Sequence, residues 1–545
     1  MSCKRIISYI AAAAFVVTAL FALSSCDAVE KEEDPKAGFN CYFDSVIAGS
    51  PATLDPQTCA NDCAAEIIAN VFLGLYGASD GGEIVPRMAE ECTVSEDGLE
   101  WTFRLREGIY WYGKDNFSAE CTADDYVFAF QRLMSPELCS ERAKEYFFIK
   151  NAEQINSGNI TDIDLLGVKA EDRYKLKIML TEPRSDMKAM LAAPPAMPCS
   201  REYYELTEGQ YGLVGDCVGS NGAFYVSRWH YDKWTKNGNF IELRRNTLNA
   251  DTLNTAPRGI TYNISADGFA WFTAGDAEVY KTANSDEIFK LSGKYDHSTY
   301  STSVWGVMFN TKGEFSSADL RIALGGYVRG SFDGDIYTPA DRIIPDGITV
   351  GGENYRSLAG SPETARYSEN ELLERGSRAM RDVKEGALSG VSILMPEGTA
   401  LRQNVGLFIQ EWQRNFGVYC MISELPYDSY ISALSAGDFD IALVRLGGGG
   451  SGAVSYLNSF SAGSSANYGS VRSKKLEDIL NSAITAENNK SAARYCLEAE
   501  QFITDNGYFI PFCFEKEYVF RAKGVGGVGY DPFSGIYLFA GAVKK

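Results

Sequence analysis

Histidine is the scarcest chemically active residue in this 545-residue chain. His230 and His297 are the only two, and they lie far apart in the sequence without a second metal-binding residue at a usual spacing. A catalytic triad or a histidine-based metal site would have to use one of them, which disfavours both kinds of site. No nucleophile elbow on a strand-to-helix turn and no zinc motif are evident, so a secreted hydrolase is also disfavoured. We therefore predict that the chain is not an enzyme, with no catalytic residue, metal or cofactor.

Basic residues are outnumbered along the chain. There are 51 lysines and arginines against 72 aspartates and glutamates, which gives a formal net charge of −21. A protein with this charge repels nucleic acid phosphates and anionic lipid headgroups. We predict no nucleic acid partner, and we interpret the acidity chiefly as a solubility property of the surface. With 45% hydrophobic residues the chain is long enough for two or three packed domains.

Long apolar runs are absent except at the start of the chain, where residues 6–23 follow Lys4-Arg5. The run ends in Leu23-Ser24-Ser25-Cys26, which resembles the lipobox of bacterial lipoproteins. That resemblance implies cleavage before Cys26 and a lipid on this cysteine; the alternative is an uncleaved membrane anchor. Residues 27–38 are charged and aperiodic and are predicted to be a flexible tether. We expect a protein lipid-anchored at the outer face of the cytoplasmic membrane, touching the membrane only through its lipid.

The thirteen cysteines show no C-x-x-C pair. If Cys3 leaves with the leader and Cys26 carries lipid, eleven remain, and an odd number cannot all pair. Cys59 and Cys63 lie one helical turn apart, but without paired histidines they do not indicate zinc. Buried free thiols and disulfides both stay open from the sequence.

Residues 97–136, DGLEWTFRLREGIYWYGKDNFSAECTADDYVFAFQRLMSP, carry the most distinctive pattern. Apolar and polar residues alternate over 99–106, which predicts a half-buried strand. Thr122 and Asp125 have the spacing of a capping box, and the apolar residues that follow recur at helical spacing. Ser135-Pro136 ends the predicted helix.

The order of these features resembles the signature of the family 5 extracellular solute-binding proteins, the peptide-binding components of ABC importers. Thr53-Leu54-Asp55-Pro56 and residues 218–226, VGSNGAFYV, resemble two further family elements, with Ala223 where proline is usual. The resemblance implies an α/β, two-lobed periplasmic-binding-protein fold of type II, similar to cluster C, with an extra α+β insertion domain. It implies these boundaries: signal peptide 1–26, tether 27–38, lobe 1 at 39–78, 200–303 and 515–545, insertion domain 79–199, and lobe 2 at 304–514.

Within predicted lobe 2, strands and helices alternate. We predict strands at 391–395, 418–424 and 439–444, and helices at 401–416 and 427–436. This βαβαβ order implies a parallel sheet, whose ligands collect beyond the carboxyl ends of the strands. Residues 445–452, RLGGGGSG, follow the last strand.

The glycines of this loop allow the backbone to approach a ligand and to hydrogen-bond a peptide main chain, although they also suit an ordinary surface loop. Arg445 can receive a carboxylate or simply reach solvent, and Trp305 can face the cleft or the core. The predicted ligand-binding residues are Ser50, Pro51, Asn221, Gly222, Phe224, Trp305, Arg445, Gly447, Gly448 and Gly449.

One departure from the family pattern affects the ligand. Many peptide-binding members have an aspartate in this loop that pairs with the peptide's ammonium group, and its place falls at about Gly449. No carboxylate lies between Asp440 and Glu477. Either another acid serves, or the ligand is not a peptide with a free amino terminus.

We predict a monomeric binding protein that captures a peptide-like solute and delivers it to ABC permease subunits. The alternatives are a non-peptide solute, such as a sugar, a glycoside or a metal chelate, and a surface receptor without transport.

Overall fold

The computed structural model describes residues 40–545 apart from residues 60, 236–237, 333, 363–366, 385, 387, 389, 448–451 and 465. The predicted signal peptide, Cys26 and the tether lie outside the described residues, as do the predicted ligand-binding residues Gly448 and Gly449.

A seven-stranded sheet forms the larger half of the molecule. Its strands run in the order β13-β21-β14-β20-β18-β19, with β15 paired to β21. Strands β18, β19 and β20 are mutually parallel, which confirms the predicted βαβαβ order. Their bounds are β13 Val279–Thr282, β14 Asp296–Phe309, β15 Tyr337–Pro339, β18 Val391–Pro396, β19 Cys420–Leu425, β20 Ile441–Gly447 and β21 Phe509–Arg521.

Two four-stranded sheets form the other half. The first, in the order β1-β12-β11-β10, is mixed, because β1 and β12 are parallel and the other pairs antiparallel. The second, in the order β4-β5-β9-β8, is antiparallel. Their bounds are β1 Tyr42–Ile47, β4 Ala89–Val94, β5 Glu100–Leu105, β8 Val168–Asp172, β9 Lys175–Met179, β10 Phe224–His230, β11 Phe240–Arg245 and β12 Gly259–Ile264.

Five short two-stranded ribbons complete the β-structure. They are β2 Tyr76–Ala78 with β3 Ile84–Pro86, β6 Tyr110–Tyr112 with β7 Ser118–Glu120, β16 Thr349–Val350 with β17 Glu353–Asn354, β22 Val525–Gly526 with β25 Val543–Lys544, and β23 Gly529–Asp531 with β24 Ile536–Leu538.

Helices cover both faces of the seven-stranded sheet. Successive residues of its central strands are apolar and point alternately into two separate cores, one on each face. Over the whole described part of the chain, in both halves, the α-helices are α1 Asp62–Val71, α2 Ala123–Met134, α3 Ala152–Asn156, α4 Met187–Met190, α5 Arg201–Leu206, α6 Gly268–Ala274, α7 Ser285–Leu291, α8 Ala318–Gly325, α9 Tyr355–Ala359, α10 Glu369–Asp382, α11 Arg402–Phe416, α12 Tyr427–Ala436, α13 Ala453–Asn458, α14 Lys474–Ile484 and α15 Asn489–Asp505.

The strand and the helix predicted within residues 97–136 are both present. Trp101, Phe103 and Leu105 of β5 are buried, and the residues between them face outward. The predicted capping box at the start of α2 is confirmed, since the Asp125 carboxylate accepts from the Thr122 N–H at 2.7 Å. Burial raises the pKa of Asp125 to about 6, although the Thr122 bond favours its ionised form.

A buried ion pair joins this helix to the Thr53–Pro56 element. The guanidinium of Arg132 on α2 contacts both carboxylate oxygens of Asp55, at 2.6 and 3.3 Å, and the side-chain oxygen of Gln57 at 2.7 Å. Both charged side chains are less than a tenth exposed. The two elements that resemble the family most closely are therefore one structural unit.

Strands β14 and β21 run through the predicted boundaries between the lobes. The boundaries predicted at 303/304 and 514/515 fall inside these continuous strands. β13, which was assigned to lobe 1, hydrogen-bonds to β21 in the seven-stranded sheet. The ladder between β14 and β21 shifts register at Ser301/Ser303 and at Trp305/Gly306, and such irregularities bend strands.

The eleven cysteines of the described residues form no disulfide with one another. Over the same part of the chain, no helix has the length and apolar character needed to span a bilayer.

Candidate ligand-binding cleft

A cavity of about 810 Å³ lies between the two halves. One wall consists of α1, the β2–β3 ribbon, α4 and the loop that connects β23 with β24. The opposite wall consists of the β16–β17 turn, the end of β20 and the start of α13. The end of β20 is the carboxyl edge of a parallel strand, where the sequence predicts the ligand. The volume is within the range of small-molecule and cofactor sites.

Most side chains that line the cavity are apolar. This favours a ligand that leaves water with part of its surface apolar. The larger apolar residues of the lining are Ile68, Phe72, Leu73, Ile84, Met190, Met197, Leu253, Val350, Val454, Phe533, Ile536 and Leu538.

Parts of the lining are bare main chain, because several of its residues are glycines. A Cβ atom on Gly447 would lie 2.7 Å from the carbonyl oxygen of Thr302, and one on Gly74 would lie 2.8 Å from the sulfur of Met197. Position 447 requires glycine because a neighbouring backbone segment approaches so closely, whereas at Gly74 the flexible side chain of Met197 would have to move. The cavity can therefore present backbone N–H and C=O groups to a ligand.

Arg445 lies at the end of β20 and lines the cavity. Its Nε donates to a carboxylate oxygen of Glu515 on β21, 2.6 Å away. Burial alone would lower the pKa of Arg445, but the Glu515 carboxylate raises it. Glu515 also accepts from the Ser303 hydroxyl at 3.2 Å and from the Trp305 indole N–H at 3.0 Å. The charge of Arg445 is thus already neutralised within the protein.

Two further acids at the cavity belong to the C-terminal part of the chain. Asp531 accepts from the backbone N–H of Phe533 at 3.0 Å and from the Ser534 hydroxyl. Burial raises the pKa of Asp531. Glu517 accepts from the Tyr530 hydroxyl. Either carboxylate can meet a ligand ammonium in place of the acid that is missing near Gly449.

Of the predicted ligand-binding residues, Arg445 and Gly447 line the cavity. The structure places three others in the core beside it. The Asn221 side chain bridges the backbone N–H and C=O of Leu73, at 2.9 and 3.0 Å. Gly222 packs against the backbone of Val71, and Phe224 is fully buried. Their neighbour Ala223 lines the cavity instead.

Ser50, Pro51 and Trp305 also lie outside the lining. Ser50 accepts a hydrogen bond from the Trp229 indole at 3.3 Å, and Pro51 is buried. Trp305 belongs to the core on one face of the large sheet, and its indole N–H donates a hydrogen bond to Glu515.

Sequence reasoning missed much of the cavity wall. The β2–β3 ribbon, the β16–β17 turn and the β23–β24 loop are far apart in the chain and meet only in the fold. The consecutive glycines Gly351 and Gly352 are a local sequence signal for the β16–β17 turn. In the structure both have positive φ, at 59° and 90°.

No group of three His, Cys, Asp or Glu side chains placed to hold a metal ion occurs in the described part of the chain.

Comparisons with known proteins agree with this architecture. A probable deoxycholate-binding periplasmic protein, YgiS of Escherichia coli, is 24% identical over 88% of this chain and 88% of its own length. The periplasmic oligopeptide-binding protein OppA of Salmonella typhimurium is 23% identical over 96% and 97%. The structure of the Escherichia coli murein tripeptide binding protein MppA matches 93% of this chain and 98% of its own with a TM-score of 0.70 at 21% identity. The predicted α/β periplasmic-binding-protein fold is thereby confirmed.

The family model described as "Bacterial extracellular solute-binding proteins, family 5 Middle" matches residues 83–468. That match covers well over half of the sequence, and it includes the whole strand-and-helix signature at residues 97–136 as well as the glycine-rich loop. The chain therefore belongs to the bacterial extracellular solute-binding proteins of family 5, which bind solutes and are not enzymes.

Proposed function

We propose that this protein captures peptides in the cavity between its two halves and delivers them to the permease of an ABC importer. The observation that carries the proposal is the cavity itself, with main-chain groups exposed on its walls. A peptide offers the same backbone whatever its side chains, so a wall that hydrogen-bonds main chain accepts many sequences. Relatives named for dipeptide, oligopeptide and murein peptide binding support this class of solute.

Capture requires no chemistry. A solute that contacts both walls binds the closed arrangement better than the open one, and this difference in affinity shifts the population toward closure. β14 and β21 cross the predicted lobe boundaries and carry two register shifts, a feature that is typical of bent strands and that supports a hinge there. The proposal includes the two lobes and the insertion domain with the boundaries predicted from the sequence, and it includes a monomeric protein.

The ammonium group of a peptide needs a carboxylate that is not already used. Glu515 has both oxygens occupied by Arg445, Ser303 and Trp305. Glu517 and Asp531 accept hydrogen bonds but form no ion pair with an arginine or lysine among the described residues. We propose that one of these two acids replaces the aspartate missing near Gly449.

A second candidate solute is an amphipathic anion with a large apolar body. The apolar lining of the cavity favours it, and a relative of similar identity is named for probable deoxycholate binding.

Thermal shift and intrinsic fluorescence decide between these solutes. We expect random tripeptides to raise Tm, since a ligand that binds only the folded state stabilises it. A response to deoxycholate, sugars or metal chelates without a response to peptides would overturn the peptide assignment. Mass spectrometry of the denatured protein identifies any co-purified solute, and a neighbouring permease gene would separate a transporter component from a receptor.

We also propose that Cys26 carries the lipid anchor. The support is the lipobox sequence that ends in this residue. In cells labelled with a radioactive fatty acid, the wild-type protein is expected to take up label and the Cys26→Ser variant to lose it. Equal labelling of the two proteins would contradict the anchor.

A further inference from the structure

The cavity is lined by five basic residues, and they differ in how their charges are compensated. They are Arg87, Arg142, Lys188, Lys281 and Arg445. Arg142 pairs with Glu145 at 2.9 Å, and Arg445 pairs with Glu515 at 2.6 Å. Lys281 donates to the carbonyl oxygen of Gly535 and lies over the rings of Tyr530 and Tyr537.

Arg87 has no such compensation. It forms no ion pair with any carboxylate of the described residues, and the charged group that bears on it is another cation, Arg106. Burial and Arg106 together lower the pKa of Arg87. A partly buried guanidinium without a counter-ion is costly to the folded protein.

The side chain of Arg87 is nevertheless held in a fixed position. Its Nη2 donates to the carbonyl oxygen of Ala78 at 2.6 Å. Its stem lies flat across Gly77, where an added Cβ would come within 3.1 Å of Cγ and 3.2 Å of Nε. The other N–H groups of the guanidinium have no hydrogen-bond partner among the described residues. This leaves donors arranged for a planar anion.

A second uncompensated cation lies on the same wall. Lys188 is on α4, which packs on β2, the strand that contains Gly77 and Ala78. It also lines the cavity and forms no ion pair with a described carboxylate.

Arg321 shows how this fold uses a buried arginine for structure alone. It too lacks a carboxylate partner in the described residues, and burial lowers its pKa. Its guanidinium, however, donates to three carbonyl oxygens, those of Phe315, Ser316 and Asn506, at 2.6 to 3.1 Å. The guanidinium of Arg87, by contrast, donates to only one carbonyl oxygen among the described residues, so most of its N–H groups are left for a ligand.

We propose that Arg87, assisted by Lys188, binds a carboxylate of the solute at the insertion-domain wall of the cleft. The assignment rests on the proposed capture of peptides and deepens it, because the solute's own carboxylate supplies the missing counter-ion. It moves the anion site away from Arg445, whose charge Glu515 already neutralises.

Binding of matched tripeptide libraries, one with free carboxyl termini and one with terminal amides, tests this site. Wild type is expected to bind the free acids at least tenfold more tightly than the amides, and Arg87→Gln is expected to lose that preference. Arg87→Lys keeps the charge but not the forked geometry, so part of the preference remains. Arg104→Gln, a change on β5 that removes an exposed ion pair with Glu90 on β4, is the control and keeps the preference. An equal acid preference in Arg87→Gln and Arg104→Gln would overturn the site while peptide capture stands.

If no tripeptide binds wild type, peptide capture itself fails, and a second measurement decides on Arg87 without any solute. Arg87→Met keeps the stem over Gly77 and removes an uncompensated charge, so its Tm is expected to equal or exceed that of wild type. Arg321→Met removes a structural arginine and is expected to lower Tm clearly. A comparable fall in both variants would make Arg87 structural and overturn the site.

Discussion

Glu66 on α1 carries a buried carboxyl group with one oxygen that has no hydrogen-bond partner among the described residues. Burial raises its pKa to about 7, and the nearby Lys281 opposes this only in part. The folded state therefore holds a proton that the unfolded chain releases above about pH 4.5. The free energy of unfolding contributed by this group is fully present below that pH and is lost as pH rises to about 7.

Glu66→Gln should remove this loss. From pH 4 to pH 8 the variant is expected to gain stability relative to wild type, by up to about 3 kcal/mol. Urea unfolding at a series of pH values measures the difference. Parallel stability curves for the two proteins would show that Glu66 does not titrate in this range.

The buried pair of Arg132 with Asp55 gives a second prediction at this scale. Asp55→Asn leaves the guanidinium without its counter-charge, and we expect a loss of about 3 to 5 kcal/mol. The matched control is Glu411→Gln, in the exposed pair with Arg414 on α11, which should cost less than about 1 kcal/mol. Equal costs in chemical denaturation would contradict the structural role of the buried pair.

Among the elements, α11 offers two glycines with opposite roles. Gly417 ends the helix in the left-handed conformation, with φ of 69°, whereas Gly406 lies within the helix. An added Cβ at either position meets no atom within 4 Å. Gly417→Ala is therefore expected to destabilise through backbone strain alone, by about 1 kcal/mol.

Gly406→Ala is the matched control and is expected to stabilise by a similar amount, since alanine favours the helix interior. Thermal unfolding of both variants checks the pair. Shifts of the same sign would contradict the different backbone conformations of the two positions.

Elements with local signals were predicted closely from the sequence. The helix predicted at 427–436 has those bounds, and the helix predicted at 401–416 begins one residue later, because periodicity and a terminal glycine are contained in the segment. Strand β14 begins at Asp296 and pairs over most of its length with β21, more than two hundred residues away. No local pattern in a sequence reports such a distant partner.

The site was less predictable for the same reason. Asn221 was predicted to bind the ligand because residues 218–226 resemble a family element, but its side-chain amide hydrogen-bonds to the backbone of Leu73. Arg87 was not among the predicted ligand-binding residues, because a sequence does not show whether an arginine has an ion-pair partner in the fold. Arg445 lines the cavity, and its place near the carboxyl end of a parallel strand could be inferred from the predicted topology.

At the scale of the whole molecule, one contact beside the cavity joins its two sides. Ser185, in the predicted insertion domain, donates from its N–H to Ile484 and from its hydroxyl to Ala483, at 2.9 and 3.0 Å. These carbonyl groups end α14 in the other half of the protein.

Ser185→Ala should weaken binding of a captured solute about fivefold, because a lost hydrogen bond between the halves costs about 1 kcal/mol. Ser482→Ala, which removes a hydroxyl bonded within α14, is the control and should leave affinity unchanged. Calorimetric titration with the wild-type ligand measures both, and equal affinity in wild type and Ser185→Ala would remove this contact from closure.

The bare main chain of the cavity wall also has an evolutionary consequence. At Gly447 a side chain would collide with the backbone of Thr302 and Ser303, so selection for folding should keep this position glycine. Gly452 is different, with φ of −89° and no atom closer than 3.7 Å to an added Cβ. A substitution at Gly452 can therefore place a side chain in the cavity without harming the fold. A single codon change there would narrow the range of solutes that the protein binds.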